Sequence, residues 1–174
     1  YDQYDGKIFY NSLDLKKYSI KNYSEKFGVI FQDFTRYPLS VRENVGISNT
    51  NEIENLKHII EATTASGAND FIEELPKKYE PNLFKQWTSG TDLSIGQWQR
   101  IGFARAVFKN GDILVMDEPT SALDAFAERE IVEMANKYCK TQSKTSILIS
   151  HRLSNVKDAD MILVFDQGTI IEQG

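Results

Sequence analysis

Two adjacent carboxylates follow the apolar run Ile113–Met116. Asp117 and Glu118 come directly after this run and precede Pro119. A carboxylate at a strand end can hold Mg²⁺, which needs hard oxygen ligands, and a second carboxylate beside it can position and polarise a water. A solvated acidic turn would contain the same two residues. Pro119 and the Ser-Ala-Leu-Asp turn at 121–124 favour the functional interpretation.

A second candidate segment is Leu93–Gln97, with the sequence LSIGQ. Ser94 and Gln97 have the spacing of a capping box, which predicts a helix start. A helix N-terminus presents free N–H groups and partial positive charge, which suit a phosphate. Gly96 lets the backbone approach a ligand closely. A structural helix start and a phosphate-binding helix start are compatible, and the position of the segment before a helix and the carboxylate strand favours the phosphate-binding interpretation.

Two more polar residues stand at the ends of predicted strands. His151 follows the run Ser146–Ile149, and Gln32 follows the run at 27–31. A lone histidine is more often structural than catalytic, but it can donate to a phosphate oxygen and it titrates close to neutrality. Because ligands of parallel sheets bind beyond the carboxyl ends of the strands, we expect both residues to lie near the two carboxylates.

The strands that must position these residues are short and apolar. The pattern predicts strands at 7–11, 27–31, 113–116 and 146–149, and a hairpin of 161–165 with 169–172. The strands at 27–31, 113–116 and 146–149 are predicted to be buried, and the unbroken apolar run at 27–31 predicts burial on both faces.

Helical patterns separate these strands. They predict helices at 95–108 and 125–138, and an all-helical insert over residues 40–75. Within the insert, Ser40 and Glu43 form a second capping box, and a helix at 52–64 is expected to place Ile53, Leu56 and Ile60 on one apolar stripe. Alternating strands and helices predict an α/β fold with a mostly parallel sheet.

The composition limits the class of protein. The chain has 174 residues, 41% of them apolar and 26% charged, which suits one globular domain. Its net charge of −5 gives no electrostatic footprint for nucleic acid. Cys139 is the single cysteine, so an internal disulfide is impossible. No apolar run approaches the roughly 20 residues that span a bilayer.

The order of these motifs resembles the nucleotide-binding domain of ABC ATPases. The resemblance runs through Gln32, LSIGQ, MDEP, SALD and His151, and so covers nearly the whole chain. It implies a P-loop NTPase-like α/β fold with an inserted α-helical subdomain. We expect that subdomain at about 40–108, within a partial nucleotide-binding domain over 1–174 whose remainder is a RecA-like core.

The resemblance also implies a role for each site residue. Glu118 and His151 are the implied catalytic residues, as general base and γ-phosphate switch, and Asp117 and Gln32 the implied Mg²⁺ ligands. ATP would be contacted by Gln32, by two residues of the D-loop-like turn, and by the five residues of the signature-like segment. These residues are Ser121 and Asp124 of the turn, and Leu93, Ser94, Ile95, Gly96 and Gln97 of the segment.

Two features depart from the family pattern. Ile95 stands where the family usually has glycine. Its β-branched side chain adds bulk near the phosphate, so we expect a tuned site rather than an inactive one. The phosphate loop, G-x-x-x-x-G-K-[ST], is absent from the 174 residues. The family places it upstream of the segment DGKIFYN, so we expect that part of the domain N-terminal to Tyr1, and this fragment to be inactive alone.

The implied function is ATP hydrolysis that powers export. The segments GVIFQDFTRYPLSVRENVGIS and DLSIGQWQR are similar to exporters fused to their membrane domain, especially bacterial lantibiotic or bacteriocin peptide exporters. The resemblance implies ATP and Mg²⁺ as ligands, a second nucleotide-binding domain paired head-to-tail, and a transmembrane domain in the same full-length chain. Nucleic acid is not an expected partner, and the implied location is the cytoplasmic face of a bacterial plasma membrane.

Two alternatives remain at this point. One is a soluble ABC ATPase that acts on nucleic acid or ribosomes, against which the acidic charge balance counts. The other is a degenerate regulatory module, which becomes the leading hypothesis if the parent gene also lacks a phosphate loop. The presence of Glu118 and His151 counts against it.

Overall fold

The described residues, 4–80, 82–83, 91–118 and 125–174, form strands and helices that alternate along the chain of this computed structural model. The strands are β1 (Phe9–Tyr10), β2 (Leu13–Asp14), β3 (Phe27–Ile30), β4 (Ile113–Asp117), β5 (Thr145–Ile149), β6 (Leu163–Asp166) and β7 (Thr169–Gln173). The helices are α1 (Ile20–Ser24), α2 (Val41–Gly46), α3 (Leu56–Ala65), α4 (Asn69–Glu73), α5 (Ile95–Phe108), α6 (Ala125–Thr141) and α7 (Leu153–Val156). Short 3₁₀ turns lie at Leu15–Lys17 and Thr50–Glu52. This order confirms the predicted α/β class.

A three-stranded parallel sheet in the order β3–β4–β5 positions the candidate site. In register, Ile30 pairs with Met116, and Met116 pairs with Leu148. Ile30 and Met116 are buried, and Leu148 packs against the same core. This face of the sheet therefore carries the hydrophobic core.

The opposite face of the sheet is more exposed. Ile147 and Ile149 on β5 are 45% and 49% exposed, so the prediction of a buried strand at 146–149 is wrong. Along β3, buried residues alternate with half-buried ones, so burial on both faces is wrong there too. Apolar side chains favour a strand, but what packs over the strand decides its burial.

Both predicted capping boxes are confirmed. Ser40 precedes α2, where its backbone N–H donates to the Glu43 carboxylate at 2.9 Å and its hydroxyl accepts from the Glu43 N–H at 3.2 Å. The hydrogen bonds from Ser40 hold the pKa of Glu43 below its usual value. The second box begins α5, whose bounds, Ile95–Phe108, are those predicted.

The predicted helix at 52–64 is wrong in its start and in its buried face. A 3₁₀ turn ends at Glu52, and α3 begins at Leu56 with Asn55 as its N-cap, accepting from the His58 N–H at 3.2 Å. The side chains it buries are Ile59, Ala62 and Thr63, whereas the predicted stripe residues Leu56 and Ile60 are 45% and 38% exposed.

Helix α5 packs closely onto β3. A Cβ atom at Gly28 would lie 2.5 Å from the carbonyl oxygen of Ala106, so only glycine allows this approach of helix and strand. Phe103 and Phe108 of α5 are fully buried. The helix that begins at the LSIGQ segment is thus fixed to the strand that leads to Gln32.

Two antiparallel pairs of strands precede and follow the parallel sheet along the chain. Of the predicted strand at 7–11, only Phe9–Tyr10 forms a strand, and it pairs with β2. The two turn residues between these strands, Asn11 and Ser12, both have positive φ. The predicted hairpin is confirmed as β6–β7, and its turn, Gln167-Gly168, also has positive φ at both residues, the geometry that suits a two-residue hairpin. Among the described residues, no helix is both long and apolar enough to cross a membrane.

Candidate functional site

The register of the sheet brings two candidate residues to one position along its edge. Ile30 pairs with Met116, so Gln32 and Glu118 each lie two residues beyond this pair. Asp117 pairs with Ile149, and the Glu118 N–H donates to the Ile149 carbonyl at 3.1 Å. The carboxyl ends of β3, β4 and β5 therefore meet at one edge.

Glu118, the residue directly after β4, has a left-handed conformation, with φ of +40°. This backbone region is costly for residues other than glycine and is found disproportionately at functional sites. The conformation ends the strand directly after Asp117.

The Glu118 carboxylate is the centre of the candidate site. Its Oε2 accepts a hydrogen bond from Gln32 Nε2 at 3.3 Å, and its Oε1 lies 3.1 Å from His151 Nδ1. The side chains of Glu118 and His151 are 32% and 64% exposed, so the cluster is open to solvent and to a ligand. Gln32, Glu118 and His151 lie far apart in the sequence, and the structure brings the Gln32 and His151 side chains into contact with the Glu118 carboxylate.

Asp117 lies beside this cluster as the last residue of β4, with a half-buried side chain. Within the part of the chain that the structure describes, no group of three or more His, Cys, Asp or Glu residues could hold a metal ion. Mg²⁺ commonly takes one or two protein oxygens and completes its shell with phosphate oxygens and water. The donors Asp117 and Gln32 therefore fit a Mg²⁺ that arrives with a phosphate ligand.

The LSIGQ segment forms a separate surface at the N-terminus of α5. The Ser94 hydroxyl accepts from the Gln97 N–H at 3.2 Å, and the Gln97 side chain accepts from the Ser94 N–H at 2.9 Å. Ser94 is exposed and Ile95 is 45% exposed, whereas Leu93 packs against the core. These hydrogen bonds are local to the helix start and do not involve the Glu118 cluster. Ser121 and Asp124 lie outside the described residues.

A partly buried polar network that the sequence did not reveal holds the segment that follows Gln32. Arg105 on α5 donates to the Asn44 carbonyl at 2.8 Å and to the Thr35 carbonyl at 3.1 Å, and its guanidinium lies 5.0 Å from the Tyr37 ring centroid. The Asn44 side chain, fully buried, donates to the carbonyls of Tyr37, Leu39 and Ser40 at 3.0–3.1 Å. Burial lowers the pKa of Arg105 from its usual value.

Glu128 on α6 is another residue whose role the sequence analysis did not predict. It is 5% exposed and contacts Arg152 and Asn155, in the segment that follows His151. The sequence carried a usable signal, because Glu128 lies on the apolar stripe that contains Ile131, Val132 and Ala135, where a carboxylate is out of place.

The fold and the side-chain cluster together define an α/β protein with a candidate ligand site at the carboxyl edge of a parallel sheet. Comparison with known proteins identifies the family within this class. The family model described as "ABC transporter" matches residues 1–121. The chain is 39% identical over its whole length to the heterocyst differentiation ATP-binding protein HepA of a Nostoc species, of which it covers 28%. It is 37% identical over its whole length to an ATP-dependent lipid A-core flippase of Syntrophus aciditrophicus, of which it also covers 28%.

A solved structure gives the same result. The chain matches a bacterial Atm1-family ABC exporter with ATP bound, at 30% identity and a TM-score of 0.84, over 100% of this chain and 29% of that one. The chain belongs to the ABC transporter family and corresponds to its exporter-type ATPase domain, which implies ATP binding. It spans less than a third of the length of the relatives described here.

Proposed function

We propose that this protein hydrolyses ATP to power export across a membrane. The observation that carries the proposal is the Glu118 carboxylate, which follows Asp117 at a strand end and lies between Gln32 and His151. Membership of the ABC transporter family supports it, as do relatives whose names describe ATP-binding and flippase proteins. The proposed location is the cytoplasmic face of a bacterial plasma membrane, and the proposed cargo is a peptide or another small molecule.

The chemistry we propose is phosphoryl transfer to water. Glu118 accepts a hydrogen bond from the attacking water and orients it toward the γ-phosphate. His151, whose Nδ1 lies 3.1 Å from Glu118 Oε1, donates to a γ-phosphate oxygen. Asp117 and Gln32 would hold Mg²⁺, which neutralises charge on the phosphate oxygens when bound.

The proposed assembly needs partners. The exposed start of α5, with Ser94 and Gly96, suits the phosphates of an ATP held by a second nucleotide-binding domain in a head-to-tail pair. Ser121 and Asp124 would lie at the same boundary. The helices between β3 and β4, within about 40–108, form the proposed helical subdomain, and a transmembrane domain in the same full-length chain completes the exporter.

The direct test is ATP hydrolysis by the purified full-length protein in lipid vesicles. We expect phosphate release that requires Mg²⁺ and stops when EDTA is added. The control is the same protein with ADP in place of ATP. Absence of ATP hydrolysis by a folded, membrane-inserted protein would contradict the proposal.

Two substitutions of Ser94 separate its structural role from its proposed ligand role. Ser94→Ala removes the N-cap and is expected to lower the free energy of unfolding by about 1 kcal/mol, whereas Ser94→Gly costs only a few tenths. Both remove the hydroxyl proposed to reach the partner's ATP, so we expect both to lower turnover, by roughly tenfold, the worth of one hydrogen bond to a charged group.

Chemical denaturation and steady-state hydrolysis of the full-length protein measure the two effects separately. If turnover followed stability, falling in Ser94→Ala but not in Ser94→Gly, the hydroxyl would have a capping role alone.

A further inference from the structure

Glu128 is a buried charge that the proposed chemistry does not use. It lies one turn before Ile131 and Val132 on α6, and all three are at most 5% exposed. A carboxylate on such a stripe loses several kcal/mol of hydration unless partners compensate. The partners of Glu128 therefore identify what this carboxylate holds in place.

Among the described residues, both partners of the Glu128 carboxylate lie in one short segment that follows β5. Arg152 forms an ion pair with Oε2, and the Asn155 side chain donates to Oε1. Asn155 is 8% exposed, so its amide depends on this contact. The Ser150 hydroxyl also accepts from the Arg152 N–H at 3.1 Å and from the Asn155 amide at 3.5 Å. One carboxylate on α6 thus anchors residues 150–155.

His151 lies inside this anchored segment. Its imidazole is 64% exposed and contacts the Glu118 carboxylate at 3.1 Å. Because the His151 imidazole is largely exposed, packing does little to orient it. The position of the ring is therefore set by the backbone on either side. On the N-terminal side that backbone is fixed by β5, which pairs with β4 up to Ile149. On the C-terminal side it is fixed by Glu128, through Arg152 and Asn155.

We propose that Glu128 is a positioning residue for His151. Its buried charge holds Arg152 and Asn155, and through them it holds the imidazole beside Glu118. The inference rests on the proposed function, since His151 matters for turnover only if this cluster hydrolyses ATP. It also connects the site to α6, which begins at Ala125.

Glu128→Gln in the full-length protein tests the proposal. Glutamine keeps the size and the acceptor for Asn155 but removes the charge that faces Arg152. We expect kcat for ATP hydrolysis to fall about tenfold, because a displaced His151 imidazole loses part of its effect on the reaction. KM for ATP is expected to stay within about twofold. The matched control is Glu133→Gln on the same helix, where an exposed carboxylate pairs with Arg129. We expect this variant to behave as wild type.

A double substitution separates positioning from a general loss of structure. If Glu128 acts through His151, then Glu128→Gln lowers the rate in the wild-type background and has no further effect in His151→Ala. Single-turnover hydrolysis of radiolabelled ATP keeps the slow variants measurable. A further tenfold loss in the His151→Ala background would show that Glu128 acts elsewhere, and a wild-type rate for folded Glu128→Gln would also overturn the proposal.

The remaining outcomes are equally decisive. If Glu128→Gln does not fold, Asn155→Ala removes the other contact of the same carboxylate and is judged by the same two criteria. A wild-type rate for His151→Ala would overturn the proposed role of His151, and the inference with it. A slow His151→Ala with a normal Glu128→Gln would overturn the inference alone.

Discussion

Replacing Glu118 with glutamine is expected to lower ATP hydrolysis by about 10²–10⁴-fold, the usual contribution of a positioned general base. Glutamine has nearly the same shape, and its carbonyl oxygen can still accept from Gln32 Nε2, which lies 3.3 Å from Glu118 Oε2. It cannot accept a proton from water. The substitution therefore removes the chemistry and keeps the architecture of the site, so we expect ATP to bind with unchanged affinity.

Two measurements on the full-length protein check this result. Isothermal titration calorimetry with ATP and Mg²⁺ measures affinity, and phosphate release measures turnover. The control is Glu172→Gln, which changes an exposed carboxylate on β7. Near-normal turnover in Glu118→Gln would remove Glu118 from the catalytic role, and a loss of ATP affinity would show that the carboxylate serves binding instead.

The convergence of Gln32, Glu118 and His151 could be predicted because it depends on a local rule. Each follows an apolar run, and parallel strands end at the same edge of a sheet. The start of α5 could be predicted for a similar reason, since Ser94 and Gln97 satisfy each other's backbone within four residues. Local hydrogen bonding and strand direction are determined by short stretches of sequence.

Features that depend on distant packing could not be predicted in the same way. The exposure of Ile147 depends on what covers β5, and the buried face of α3 depends on where Asn55 caps the helix. The contact between Glu128 and Arg152 joins residues 24 positions apart. The only local sign of this contact is a carboxylate on an apolar helix stripe. That pattern predicts a buried charge, but it does not predict which residue pairs with it.

The half-buried guanidinium of Arg105 helps to hold the segment after Gln32, which makes Arg105 a sensitive position. Arg105 donates to the Asn44 and Thr35 carbonyls at 2.8 and 3.1 Å and to the Asn44 side chain at 3.3 Å. These bonds tie α5 to α2 and to the segment that leads away from the sheet edge. Phe34, in the same segment, packs against Gly102 of α5, one turn before Arg105.

Arg105→Ala is expected to lower the free energy of unfolding by about 3 kcal/mol, because hydrogen bonds from a charged donor are lost and the acceptors of the buried Asn44 are left unpaired. Urea denaturation followed by the fluorescence of the buried Trp98 on α5 measures the change. Arg105→Lys keeps one charged donor and should lose less, since an ammonium cannot reach all three acceptors. Arg36→Ala is the matched control, because Arg36 is exposed in the same segment and should change stability little.

Function should follow the same order if the network positions Gln32. We expect turnover to fall more in Arg105→Ala than in Arg105→Lys at temperatures where both remain folded, since Gln32 reaches the Glu118 carboxylate from the segment that Arg105 holds. Equal turnover in the two variants, despite different stabilities, would confine Arg105 to a structural role and leave β3 alone to position Gln32.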